Sequence, residues 1–223
     1  MEGSTVQDKK FEVGPPSGNW QSLLLNKIVF VTGAGGAIGS SIAHTCALHG
    51  AKVVVADVNK QTADEVVKTI LTDKALVQGD ANNENTERVI SVELDVADDT
   101  SVKNSVNAIL TKWKTIDILV NNAAIFTLGE IENISAEDWT KVFNINVRGY
   151  ALMAKYVVPI MKKQKSGCII NMASHSSLIA QPAFVPYSTT KGAILQMTRN
   201  LALDLGPFNI RVLSICPGTI CKI

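Results

Sequence analysis

Short apolar, β-branched runs alternate with amphipathic segments along most of the chain. The runs are Ile28 to Val31, Lys52 to Ala56, Val89 to Leu94, Ile116 to Val120, Cys168 to Met172 and Ile210 to Ile215. Continuous apolarity over so few positions, bounded by polar or turn-forming residues, predicts strands buried on both faces, as in a parallel sheet. Between them, Ala37 to Leu48, Lys60 to Thr72, a segment from Asp98 and Asp99 through Lys112, a long one after Ser135 toward Lys163, and Tyr187 to Leu205 carry helical periodicity. Ser135-x-x-Asp138 is a capping signature, Asp98, Asp99 and Ser101 suit a cap and first turn, and Gly206-Pro207 is a stop signal. A bend is expected near Pro159, and the polar stretch from Asp73 to Arg88 reads as an exposed loop. Strict alternation of strand and helix predicts a doubly wound parallel α/β sheet of Rossmann type with six recognisable strands, helices on both faces and ligands at the strands' carboxyl ends.

The most specific local pattern lies at the first strand–helix junction, Lys27 to Gly39. Gly33, Gly35, Gly36 and Gly39 allow a tight turn and close approach of the backbone to a ligand. The helix that opens there presents free N–H groups and the positive end of its dipole, which suits a pyrophosphate. The second strand ends on Asp57, 18 positions beyond Gly39. A carboxylate at that tip can accept from both adenosine ribose hydroxyls and repel a 2′-phosphate, favouring NAD(H) over NADP(H). Asp57 is also placed to cap the following helix.

Composition narrows the classes. The chain has 223 residues, 46% of them apolar, enough for one domain with a core that needs no disulfide or metal. With 21 basic and 20 acidic residues the net charge is +1, so nothing points to nucleic acid or an anionic membrane surface. Cys46, Cys168, Cys216 and Cys221 are scattered through apolar segments as small buried hydrophobes, and the three histidines do not suggest a metal site. No apolar run has the length of a membrane span or the form of a signal peptide, so the expected location is cytoplasmic. Met1 to Leu24 is expected to be a polar extension, with Trp20 and its neighbouring leucines packing near the sheet, and residues 25–223 the dinucleotide-binding and catalytic domain.

Candidate chemistry gathers at the other strand ends. Tyr187 and Lys191 stand at i and i+4, on one helix face. An ammonium beside a phenol favours the phenolate, which is expected to bring Tyr187 down toward the working pH. Ser174, at the end of the fifth strand, can donate to a substrate oxygen while Tyr187 exchanges a proton. His175 is expected to point away from it if the strand persists, in a structural role. Asn121 and Asn122 either tie neighbouring strand ends or form a simple Asx turn. Asn146 lies among apolar neighbours, so its amide needs partners or holds a water. The segment Ser176 to Val185, with Leu178, Ile179, Gln181 and Phe184, is expected to shape specificity.

From about Leu25 onward the chain resembles the short-chain dehydrogenase/reductase family. Thr32-Gly-Ala-Gly-Gly-Ala-Ile-Gly39 is similar to its TGxxxGxG loop, Asn121-Asn-Ala-Ala124 to NNAG, and Asp95-Val96 to the pair lining the adenine pocket. Tyr187-Ser-Thr-Thr-Lys191 is the YxxxK motif, and Ser174 lies 13 positions before it, where the family's catalytic serine stands. Trp139 through Asn146 to Gly149 resembles WxxxxxxNxxG, and Pro217-Gly218 matches the PG after the sixth strand. Ala37 stands where the family has a glycine, as does Ala124. Family members continue beyond this point with a substrate-covering loop and a seventh strand, so the resemblance implies a chain short of that segment; Lys222 stands where many have a threonine near the nicotinamide.

The resemblance implies NAD(H)-dependent interconversion of a secondary alcohol and its ketone. It implies Ser174, Tyr187, Lys191 and Asn146 as catalytic residues, with Asn146 keeping a water in the proton path. For cofactor binding it implies Gly33, Gly36, Ile38, Gly39, Asp57, Asp95, Val96, Asn122, Tyr187, Lys191, Pro217 and Gly218. It further implies a homodimer or homotetramer packed through the helices Ser135–Lys163 and Tyr187–Leu205. The alternative is a non-catalytic nucleotide-binding or regulatory relative.

Overall fold

The computed structural model describes residues 22–73, 76 and 88–219. The expectations for Trp20, Cys221, Lys222 and most of the loop from Asp73 to Arg88 therefore fall outside the described residues. Six strands form one sheet: β1 (Ile28–Thr32), β2 (Lys52–Asp57), β3 (Val89–Glu93), β4 (Ile118–Asn121), β5 (Gly167–Met172) and β6 (Ile210–Ile215). Every pair is parallel, and the order is β3-β2-β1-β4-β5-β6. The helices between them are α1 (Ala37–Leu48), α2 (Lys60–Leu71), α3 (Asp99–Trp113), α4 (Ala136–Phe143), α5 (Gly149–Gln164) and α6 (Val185–Leu205).

Side chains alternate across the pleat, so β1 divides its residues between two cores. Val29 and Val31 pack with Ala43 and Ala47 of α1 and Ala63 and Ile70 of α2. Ile28 and Phe30 face the opposite layer, with Val106 of α3, Met153 and Val157 of α5 and Leu205 of α6. Burial on both faces explains why the strands read as unbroken apolar runs rather than alternating ones.

Three boundaries differ from expectation. β4 begins at Ile118 rather than Ile116; just before it the Asp117 carboxylate accepts the Ile28 N–H (2.9 Å), while the Asp117 backbone bonds to Ile28 and Cys168. The long helix is irregular at Asn144–Arg148, a π-helical turn joining α4 to α5, while α5 continues through Pro159. The break thus falls at Asn146, and such turns recur at functional sites. The sixth helix starts at Val185, with Pro186 in its first turn, where a missing N–H costs nothing.

A buried amide chain joins β4, β5 and α6. Asn121 and Asn171 are register partners; Asn121 donates to Asn171 Oδ1 (2.9 Å), and Asn171 donates to Thr198 Oγ1 (2.9 Å) on α6. This is the strand tie expected of the paired amides, here made by Asn121. Asn171→Ala leaves the Asn121 amide without that acceptor in a site from which water is excluded. The expected cost is about 1–3 kcal/mol, read as a lower urea midpoint at unchanged m-value; an unchanged midpoint would show that the tie carries no stability.

Candidate active site

The strand order reverses between β1 and β4, so the segments leaving their carboxyl ends diverge and open a cleft of about 790 Å³. One wall is the first turn of the chain's βαβ unit. Gly33 holds φ of 61°, and a Cβ there would lie 2.6 Å from Ala123 Cα, so the turn packs directly on the segment after β4. At Gly39 a Cβ would run into the Gly33 carbonyl and lie 2.7 Å from both Ala34 Cα and Asn122 Nδ2. Asn122 closes this corner by donating to the Thr32 and Gly33 carbonyls, both at 3.0 Å. A Cβ on Gly36, in contrast, would meet only the Gly33 carbonyl at 3.5 Å and otherwise point into the opening.

Gly36 is also the N-cap of α1, and no side chain caps that helix. Its first N–H groups and its dipole are directed at the cleft, with Ile38 at the lining, which fits a diphosphate. Ala37 keeps helical backbone there. Asp57 stands at the edge: Oδ2 accepts the Gly35 N–H (2.9 Å) and Oδ1 the Asn59 N–H (3.0 Å). Each oxygen retains acceptor capacity for a hydroxyl. The cap of α2 is Asn59, not Asp57, so the capping alternative for Asp57 is set aside. Asp95 and Val96 line the same end, and Pro217 and Gly218 the other. These residues together fit a dinucleotide.

At the far end Ser174, Tyr187 and Lys191 all line the cleft while being 9%, 7% and 2% exposed. β5 stops at Met172, and Ser174 caps a short 3-10 turn over His175–Ser177, its oxygen accepting the Ser176 N–H at 3.2 Å. Its own proton is directed to the Tyr187 oxygen. The strand does not persist, so the condition for His175 to point away is not met, and His175 is exposed and borders the cleft.

Lys191 donates to the Met172 carbonyl (2.7 Å), which also accepts the Tyr150 hydroxyl (3.3 Å). The ammonium sits 5.6 Å from the ring centroids of both Tyr150 and Tyr187. Burial lowers Lys191 to about 8. Burial also raises Tyr187, with the Ser174 hydroxyl partly offsetting it. This corrects the expectation that Lys191 brings the phenol down: the ammonium is directed at the Met172 carbonyl, and loss of water dominates at Tyr187.

Of the segment expected to shape specificity, Gln181 and Phe184 line the cleft and Leu178 and Ile179 do not. Among the residues expected to be catalytic or cofactor-binding, Asn146 is the one that does not line it. It is fully buried; its Oδ1 accepts the Ile125 N–H (2.8 Å), and its Nδ2 donates to the Ile125 carbonyl (2.9 Å) and Thr190 Oγ1 (3.1 Å). Phe126, which the sequence reading passed over, lies flat against Tyr187 with centroids 4.4 Å apart. Its position just beyond the carboxyl end of β4 was the available signal.

Comparison with known proteins supports the same reading. The model of the family described as short chain dehydrogenase matches residues 27–221. An uncharacterized oxidoreductase of Thermotoga maritima is 38% identical over 196 residues, covering 86% of this chain and 71% of that protein. A cyclopentanol dehydrogenase of Comamonas is 36% identical over 197 residues, covering 87% and 73%. The solved structure of an NAD+-bound xylitol dehydrogenase superposes with a TM-score of 0.82 at 30% identity, covering 91% of this chain and 74% of that one.

The Lys191 geometry has a consequence for stability. A lysine at about 8 when folded, against roughly 10.4 unfolded, binds fewer protons in the native state than in the unfolded one between those values. Stability therefore rises with pH across about 8 to 10 as the charged form's burial penalty is relieved. Lys191→Met removes this contribution. The difference in urea-derived stability between the two proteins should shift toward the native-sequence protein across that window; a constant difference would contradict the burial argument.

Proposed function

We propose, because the chain belongs to the short-chain dehydrogenase/reductase family, NAD(H)-dependent oxidoreductases acting on CH–OH groups, that it interconverts a secondary alcohol and its ketone with Tyr187 exchanging the proton. The observation that carries this reading is the meeting of three buried polar side chains, Ser174, Tyr187 and Lys191, in the cleft that α1 opens onto. Bound NAD(H) supplies the hydride acceptor or donor. The turn from Gly33 to Gly39 would hold its diphosphate, Asp57 its adenosine ribose and Asp95 with Val96 its adenine. Asn122 fixes the turn from behind, and Pro217 and Gly218 close the far end.

In oxidation Tyr187 takes the hydroxyl proton as the carbinol oxygen becomes a carbonyl; in reduction it returns that proton. Ser174, whose hydroxyl is bonded to the Tyr187 oxygen, turns that proton to the same substrate oxygen and orients it. Lys191, held against the Met172 carbonyl beside the phenol, would hold the nicotinamide ribose. Asn146 acts in this scheme as a positioning residue. Its amide bonds go to Ile125 and Thr190, and Thr190 Oγ1 donates to the Tyr187 carbonyl at 2.7 Å, which fixes the start of the helix carrying the phenol. Of the two alternatives expected for this buried amide, these bonds are the one in which it finds partners. The likeness to a cyclopentanol dehydrogenase supports a secondary alcohol as substrate. Among the described residues no helix is long and apolar enough to cross a membrane.

Two outcomes test the assignment. Tyr187→Phe keeps the ring and removes the proton carrier, so oxidation should fall by about 10²–10⁴-fold. With Tyr187 raised by burial and Lys191 at about 8, the phenolate fraction grows with pH while the ammonium fraction holds below 8 and declines above it. Oxidation kcat/KM should rise about tenfold per pH unit up to about pH 8 and level off beyond. Retained activity in Tyr187→Phe, or a flat profile below pH 8, would overturn the assignment.

A further inference from the structure

The wall beside the phenol carries more than the chemistry requires. Phe126 is 66% exposed, yet its ring is stacked on Tyr187 with an interplanar angle of 21°. Phe184 meets the same phenol edge-on, with centroids 6.2 Å apart and planes at 79°. Both rings are fastened by backbone bonds rather than by burial. The residue before Phe126 has its N–H and carbonyl both taken by the Asn146 side chain. The segment after Phe126 is bridged to Phe184, and the Gly129 N–H donates to the Ala183 carbonyl at 2.8 Å. Asn146 in turn bonds Thr190 on α6, the helix of Tyr187, so the two rings and the phenol are held in one frame.

We infer that Phe126 and Phe184 are specificity-determining residues that select secondary alcohols and ketones whose carbinol carbon belongs to a ring or bears a ring or a similarly bulky apolar group. The inference rests on the oxidoreductase reading above and names its substrate class. A carbinol oxygen placed between the hydroxyls of Ser174 and Tyr187 sets its substituents alongside the phenol, within reach of the two aromatic rims. There an apolar ring exchanges water for aromatic surface, with a gain that grows with the area covered. A polyhydroxylated chain gives up its hydration against the two rings, which offer it no polar partner, the polar His175 lying on the Ser174 side of the cleft. Two of the polar side chains lining the cleft, Ser176 and Gln181, are already bonded to each other at 2.5 Å.

The test has a kinetic and a binding arm. With NAD+, kcat/KM is measured for cyclohexanol, 1-phenylethanol, 2-propanol and xylitol in the native sequence, Phe126→Ala and Phe126→Leu. The ring-bearing alcohols should exceed 2-propanol by about tenfold or more, and that ratio should fall about tenfold in Phe126→Ala and less in Phe126→Leu. An absence of preference in the native sequence, or a ratio unchanged in both variants, overturns the inference and leaves the oxidoreductase reading intact. In parallel, cyclohexanone and acetone are titrated into the protein alone and followed by ligand-observed NMR. If no alcohol is oxidised, the oxidoreductase reading fails, and this arm decides the wall by itself. Binding of cyclohexanone over acetone that is lost in Phe126→Ala supports it; equal or absent binding overturns it.

Discussion

The clamp between β1 and β4 is the constraint on which the site depends. Where two neighbouring parallel strands send their continuations to opposite sides of the sheet, their ends must be tied without being covered. Thr32 and Asn122 meet this requirement. The Thr32 hydroxyl accepts the backbone N–H groups of Asn122 and Ala123 at 3.0 and 3.1 Å. The Asn122 amide returns two bonds to the carbonyls of Thr32 and Gly33. With the floor fixed this way, the glycine turn stands open to a ligand on one side and is packed against Ala123 on the other. The Asp57–Gly35 bond then holds the second strand's tip to the same turn, so the edge of the cleft and its floor move as one piece.

Much of this was legible because it follows from short-range rules. Continuous apolar runs gave strands, periodic segments gave helices, and a glycine cluster at their junction placed the ligand end. Asn122 and Asp57 were identifiable because strand-end positions in a doubly wound sheet have few other duties. What escaped the sequence depends on contacts distant along the chain. The π-helical turn at Asn144–Arg148 carries no composition signal; it is visible only once Ile125 is found facing Asn146. The orientation of His175 turned on where β5 stops, and that is set by Ser174 and Ser177 closing a reciprocal cap. Phe126 was passed over: its place beyond β4 was visible, but stacking on a side chain 61 positions away leaves no local pattern.

The electrostatics of the site were the least accessible part. An i, i+4 phenol and ammonium imply attraction, and the helix does bring both groups to one place. Their charge states depend on how much water each retains, and burial raises Tyr187 while lowering Lys191. The two groups thus move apart in acidity: a free phenol and a free ammonium titrate near each other, at about 10 and 10.4, whereas here Lys191, at about 8, gives up its proton before the phenol does. The Met172 carbonyl, shared by Lys191 and Tyr150, holds the ammonium in that position.

The account stands or falls on the cleft accepting a dinucleotide that Asp57 can discriminate. Titration of the protein with NADH, followed by its fluorescence, with NADPH in a parallel series, tests this most directly. The carboxylate at the edge predicts NADH binding at least about tenfold tighter than NADPH, a difference of roughly 1.4 kcal/mol or more. Equal affinities, or no binding of either, would contradict it.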